Sequence, residues 1–340
     1  MKDLSSKSLV FLAILSLFFI GLTNGQESKL SLIKVDGKYF KNEKGEKLIF
    51  RGFNISDPDK LQKSGHWSKS YFEMAKSWGA NTIRIPVHPS AWRSRGQENY
   101  MALLDNAVKW ATELGLYVII DWHSIGNLRT EKFQSANYNT TLKETQDFWK
   151  VISAHFKGNH TAAFYEIFNE PTTSNNTLGT CTWKEWKDIS ESIIKIILNN
   201  NPEAIPLVAG FDWAYDLTPV ATDPINIPGI CYVSHPYPEK RSQPWEPKWE
   251  KDFGFVADKY PVFATEFGFA LPDEIGYEIP CRADEVYGKL ITDYFDKKGI
   301  SWMVWDFDPD WGPTMFKDWN YTPTRQGTFF KSILKKYSLK

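Results

Sequence analysis

Two glutamates in this chain close short apolar runs: Tyr165-Glu166-Ile167-Phe168-Asn169-Glu170-Pro171 and Val262-Phe263-Ala264-Thr265-Glu266-Phe267-Gly268. An apolar run that ends on a carboxylate, stopped in the first case by a proline that cannot continue a ladder, reads as a strand delivering an acid at its C-terminal end. Two carboxyl groups facing each other can hydrolyse a glycosidic bond. One protonates the leaving oxygen and the other attacks the anomeric carbon. Such a pair needs a scaffold that brings distant strand ends to one place.

The chain offers that scaffold. After residues 32–48, where Asp36-Gly37 and Lys44-Gly45 mark a small β-hairpin expected to plug one end of the fold, short apolar strands alternate with amphipathic stretches. Strands are expected at residues 48–54, 82–87, 117–121, 163–169, 206–210, 231–235, 262–266 and 302–305. Residues 99–114, 183–198 and 284–295 each place apolar side chains on one helical face. Eight βα units predict an α/β fold, a closed (β/α)8 TIM barrel, with an open doubly wound sheet as the alternative. No glycine-rich fingerprint opens a helix, so a dinucleotide site lacks its main support.

In such a barrel, functional groups sit at the C-terminal strand ends. Those ends read Asn54, Arg84, Asp121 with His123, Asn169-Glu170, His235 with Tyr237, Glu266 and Trp305-Asp306. Each has an ordinary structural explanation taken alone: Arg84 as a core ion-pair residue, Asp121 as a helix cap. Their convergence on one rim is what points to chemistry. Glu166, deeper on the fourth strand, reads as structural and paired with a buried arginine such as Arg51.

The chain resembles glycoside hydrolase family 5, the cellulase family of retaining (β/α)8 glycosidases, from about Arg51 to Trp305. The resemblance rests on Arg51-Gly52-Phe53-Asn54, Ile83-Arg84-Ile85-Pro86, Asp121-Trp122-His123, Asn169-Glu170-Pro171, His235-Pro236-Tyr237, Thr265-Glu266-Phe267-Gly268 and Trp305. It implies Glu170 as acid/base and Glu266 as nucleophile, with Arg84 and Tyr237 as partners of Glu266. It further implies Asn169 as ligand of the sugar 2-hydroxyl, His123 and His235 as supports of the subsite holding the attacked sugar, and Trp305 as its stacking platform. Physical reasoning agrees: a cation and a hydroxyl beside Glu266 would keep it ionised, which leaves Glu170 to hold the proton.

Composition narrows the partner. Lys+Arg number 40 against Asp+Glu 41, so nothing marks a nucleic-acid or anionic-lipid surface. Aromatic residues make up 16% of the chain, with 15 Trp, which suits stacking on sugar rings. Trp92, Trp122, Trp213, Trp245, Trp311 and Trp319 fall in or beside loops after strands, and Trp122, Trp213, Trp245 and Trp311 are candidate platforms beside Trp305. Residues 306–326 are expected to build one wall of a groove. The expected substrate is a β-1,4-linked glucan, polymer or oligosaccharide, cut internally. A β-mannanase or other β-glycan hydrolase of the same family is the alternative, and a non-catalytic glycan-binding barrel, which need not keep both glutamates, is the rival from another class.

Residues 1–25, with Lys2 and Lys7 before an apolar run from Leu9 to Leu22, read as a cleaved secretory signal. Residues 26–340 then form one catalytic domain, secreted, monomeric and free of the membrane after cleavage. No HExxH, CxxC or carboxylate-rich loop is present, so neither metal nor other cofactor is expected. Of the 3 cysteines, Cys181 with Cys281 is the candidate disulfide. Asn54, Asn139, Asn159, Asn175 and Asn320 begin glycosylation sequons.

Overall fold

The structure, a computed structural model, describes residues 30–338. The expected signal segment lies outside the described residues. Eight parallel strands close a barrel. In chain order they are β1 (Arg51–Asn54), β2 (Thr82–Val87), β3 (Tyr117–Trp122), β4 (Phe164–Glu166), β5 (Ile205–Ala209), β6 (Cys231–Val233), β7 (Val262–Phe267) and β8 (Ser301–Val304). Each pairs with its sequence neighbours, and β8 closes on β1 with Trp302 opposite Arg51. The open-sheet alternative is thereby excluded. Gly52 is required for closure: a Cβ there would meet the Thr82 carbonyl oxygen at 1.9 Å.

Helices cover the barrel, and their sequences explain their ends. The helix Trp183–Asn200 begins with a capping box in which Thr182 and Glu185 satisfy each other's backbone N–H groups. Gln97–Leu114 and Glu285–Lys298 stop at Gly115 and Gly299, both in the left-handed conformation. The N-terminal element has one strand more than a hairpin: Lys34–Asp36, Tyr39–Lys41 and Lys47–Leu48 form an antiparallel meander. Its Phe40 ring packs edge-on against Phe50 and Phe164, at 5.4 and 5.3 Å, and so plugs the end of the barrel opposite the strand C-termini.

Two departures from regular strands matter for function. β4 ends at Glu166, three residues before the expected Asn169. Glu170–Pro171 instead pair with Ile125–Asn127 in a small separate sheet, where the Glu170 N–H donates to the Ser124 carbonyl at 3.0 Å. This side sheet fixes Glu170 above the barrel mouth. On β7 the register against β8 shifts between Ala264 and Phe267. A bulge breaks strict alternation, and the adjacent residues Thr265 and Glu266 both reach groups at the barrel mouth. Among the described residues no helix is long and apolar enough to cross a membrane.

Candidate active site

The C-terminal strand ends open into a cleft of about 870 Å³ lined by His123, Tyr138, Asn169, Glu170, Trp213, Tyr237, Glu266 and Trp305, among others. Arg84 and His235 are fully buried beneath its floor. The residues singled out at the strand ends, apart from Asp306, which is buried against Ser56, converge on this cleft or on the side chains beneath it.

Arg84, from β2, is the hub. Its Nη1 donates to Glu266 Oε1 and Asn54 Oδ1, each at 2.8 Å; its Nε donates to Glu166 Oε2 at 2.7 Å; its Nη2 donates to Asn169 Oδ1 at 2.6 Å. Asp121 Oδ2 lies 3.0 Å from the same Nη2. Asp121 is thus a buried ion-pair partner and no helix cap. The partner of Glu166 is Arg84, not Arg51. Arg51 has the outward parity of β1, where it pairs with Asp296 at 2.9 Å and stacks on Tyr337, whereas Asn54 faces in. The sequon at Asn54 is closed by the same burial, since Asn54 is wholly inaccessible.

The two glutamates meet around His235. Glu170 Oε1 lies 2.9 Å from His235 Nδ1, and Glu266 Oε2 lies 3.7 Å from that same nitrogen. An oxygen of Glu170 and an oxygen of Glu266 are within 4.8 Å of each other. The Tyr237 hydroxyl donates to Glu266 Oε2 at 3.2 Å. A carboxylate–imidazole–carboxylate set of this size could accommodate a cation, but the Glu170–His235 and Arg84–Glu266 hydrogen bonds already engage donor atoms of all three.

The charges are strongly shifted by burial and by one another. Burial opposes the Arg84 cation, yet Asp121, Glu166 and Glu266 outweigh it and hold the guanidinium charged. Burial also pushes Glu266 up; His235 and Arg84 pull it down, and Glu170 and Glu166 push it up again, so the carboxyl lies above its usual range. The expectation that Arg84 and Tyr237 would keep Glu266 ionised and oriented did not count that desolvation and the neighbouring carboxylates, which act against the charge. For His235, burial disfavours the charge, but Glu266, the Glu166 carboxylate 3.7 Å from its Nε2 and the hydrogen bond with Glu170 carry its pKa up to about 9. His123 moves the other way, pushed well down by burial and by His88, Arg84 and His235. Its Nδ1 sits 2.6 Å from Asp121 Oδ2, which orients the ring.

The aromatic residues divide sharply. Trp305, which lines the cleft with His123, lies parallel to the His123 ring at 5.5 Å and to the Trp311 ring at 6.3 Å. Trp213 lines the cleft as well, presented by three successive left-handed residues, Asp212, Trp213 and Ala214, with Lys240 over its ring at 4.7 Å. Trp122 and Trp245 are core residues instead. Trp122 stacks on Phe148 at 4.2 Å and Trp245 on Trp249 at 6.0 Å. Of the segment 306–326, Gly312 reaches the cleft, while Phe307 and Phe316 are buried under it. Cys181, Cys231 and Cys281 are all free thiols, so the expected Cys181–Cys281 disulfide is absent; Cys281 sits in the cleft wall. Sequence reading missed Tyr138, Gln134 and Lys240, which line the cleft from loops after β3 and β6, where no strand end marks them.

A family model described as cellulase, glycosyl hydrolase family 5, matches residues 41–310. The chain belongs to that family. A β-glucanase from Saccharophagus degradans, solved in complex with cellotetraose, is 48% identical and superposes with a TM-score of 0.90, covering 91% of this chain and 94% of that one. Endoglucanase A of Butyrivibrio fibrisolvens is 25% identical over 280 residues, 81% of this chain. An endoglucanase A of Evansella cellulosilytica is 25% identical over 229 residues. The chain spans 59% of the length of the first of these endoglucanases and 42% of the second.

Proposed function

We propose that this chain is a secreted, monomeric, retaining endo-β-glucanase that hydrolyses β-1,4-linked glucan by double displacement, with Glu170 as acid/base and Glu266 as nucleophile. The observation that carries the reading is the separation of the two carboxyl groups. Oxygens of the two groups within 4.8 Å of each other place the pair below the separation of about 6.5–9.5 Å at which an inverting pair sets a water beside the sugar, and near that of about 5–5.5 Å at which the second carboxylate attacks directly.

In the first step Glu266 attacks the anomeric carbon as the glycosidic C–O bond breaks and Glu170 gives its proton to the leaving oxygen. In the second, water attacks the glycosyl-enzyme ester, Glu170 takes the water's proton, and Glu266 is released. Arg84 and Tyr237 orient the Glu266 oxygens for the attack. Asn169 spends its Oδ1 on Arg84, and its Nδ2 has no hydrogen-bond partner although buried. That free donor suits a sugar 2-hydroxyl, where hydrogen bonds strengthen in the transition state. Trp305 supplies a platform for the attacked sugar, and Trp213 a second one in the same cleft.

The glucan assignment is supported by the relatives' names and by the cellotetraose held by the Saccharophagus enzyme. Reducing-sugar release from carboxymethyl cellulose and barley β-glucan well above that from galactomannan is the expected result. The reverse order would replace glucan by mannan as substrate.

A further inference from the structure

The buried residues Thr265 and Glu166 touch no part of the cleft, yet they dictate where the protons on His235 sit. Glu166 accepts from Arg84 Nε through Oε2 and from the Thr265 hydroxyl, at 2.9 Å, through Oε1. Burial works against its charge, but Arg84 and His235 outweigh that and its pKa is lowered, so it is a pure acceptor. Thr265 has one hydroxyl proton, and Glu166 takes it. Toward His235 Nε2, 2.9 Å away, the Thr265 oxygen can therefore only accept.

We infer that Thr265 and Glu166 are positioning residues that oblige His235 to carry a proton on Nε2, and that Glu170 can aim its own proton at the leaving oxygen only while His235 is doubly protonated. With Nε2–H fixed, a neutral ring presents a bare Nδ1 to Glu170 Oε1 at 2.9 Å. A protonated Glu170 would then donate to that nitrogen, and its proton would point into the floor. When Nδ1 also carries a proton it donates to Oε1, so the acid proton must sit on the other oxygen, Oε2, of a side chain that lines the cleft. His235 keeps both protons through both half-reactions; only the Glu170 proton moves, to the leaving oxygen and back from water.

The inference rests on the reading of Glu170 as acid/base. The titratable groups around His235 are Glu166 at the end of β4, Glu170 on the side sheet, Glu266 at β7, Asp121 on β3 and His123 just after it. Burial disfavours the imidazolium, while Glu266, Glu166 and an ionised Glu170 favour it and carry its pKa up to about 9; once Glu170 holds its proton, Glu266 and Glu166 remain to keep the ring charged.

The first test is direct. In ¹⁵N-histidine NMR of the unmodified protein, His235 should show two protonated nitrogens at pH 7 and a bare Nδ1 with Nε2–H at high pH. A bare Nε2 at either pH overturns the assignment. The second test is kinetic. Thr265→Val removes the Nε2 acceptor and should move the alkaline limb of kcat/KM on β-glucan down by about one pH unit, the worth of one hydrogen bond to a charged group. Thr265→Ser should restore the limb. On an aryl glucoside whose leaving group needs no acid, the limb should stay in place. A Thr265→Val profile that falls by one factor at every pH, or does not change, refutes the positioning role. If Glu170→Ala loses aryl-glycoside activity as completely as polysaccharide activity, the acid/base reading itself has failed, whatever Thr265 does.

Discussion

Arg84 Nη1 stands 2.8 Å from Glu266 Oε1 while its Nη2 stands 2.6 Å from Asn169 Oδ1. One fully buried guanidinium therefore orients both the proposed nucleophile and the proposed 2-hydroxyl ligand. Lysine offers a point charge without the planar fork. Arg84→Lys should lower kcat by about 10²–10³-fold, the scale seen when one electrostatic partner of a reacting centre is lost. Arg84→Ala should in addition destabilise the fold by about 3–5 kcal/mol, because Asp121, Glu166 and Glu266 are left buried around an empty position. Steady-state kinetics and thermal melts of the two variants separate these effects. A fully active Arg84→Lys enzyme would remove Arg84 from the mechanism.

The two glutamates should fail differently. Glu170→Ala should lose most activity on β-glucan and keep glycosylation by activated aryl glycosides, which need little acid assistance. Glu266→Ala should fail on both. Equal residual activity of the two variants on an aryl glycoside would contradict the division of roles.

The elevated pKa of His235 makes a statement about stability. Its folded pKa, about 9, exceeds the ordinary value of 6.5, so the folded state binds the proton more tightly. The resulting stabilisation is complete below about pH 6.5 and is lost as pH rises through 9, amounting to about 3 kcal/mol at most. Thermal melts between pH 6 and 10 should show the wild-type protein losing stability over this window and His235→Asn losing less. Parallel curves for the two proteins would show that His235 is not the titrating group.

Much of the site was legible because a barrel exposes its strand ends. Glu170, Glu266, Asn169 and His235 each follow or close an apolar run, Arg84 interrupts one midway along β2, and the closed sheet brings these side chains together without further information. What the sequence could not convey is which inward groups pair across the barrel: Arg51 and Arg84 look alike until strand parity is known. Parity would also have set Trp122 aside, since Asp121 points in and its neighbour must point out to Phe148. Thr265 escaped notice for the opposite reason. Regular alternation would turn it away from the side of Glu266, and only the register shift on β7 brings both to the site. Tyr138, Gln134 and Lys240 lie on loops whose course no periodicity encodes.

The central claim is that Glu266 attacks the anomeric carbon directly, with Glu170 facing it at the short separation of a retaining pair. Proton NMR of the first products released from a β-glucan oligosaccharide tests it without any variant. The account predicts that the β-anomer forms first and mutarotates afterwards. The α-anomer as first product would mean a single inverting displacement, and Glu266 could not be the nucleophile.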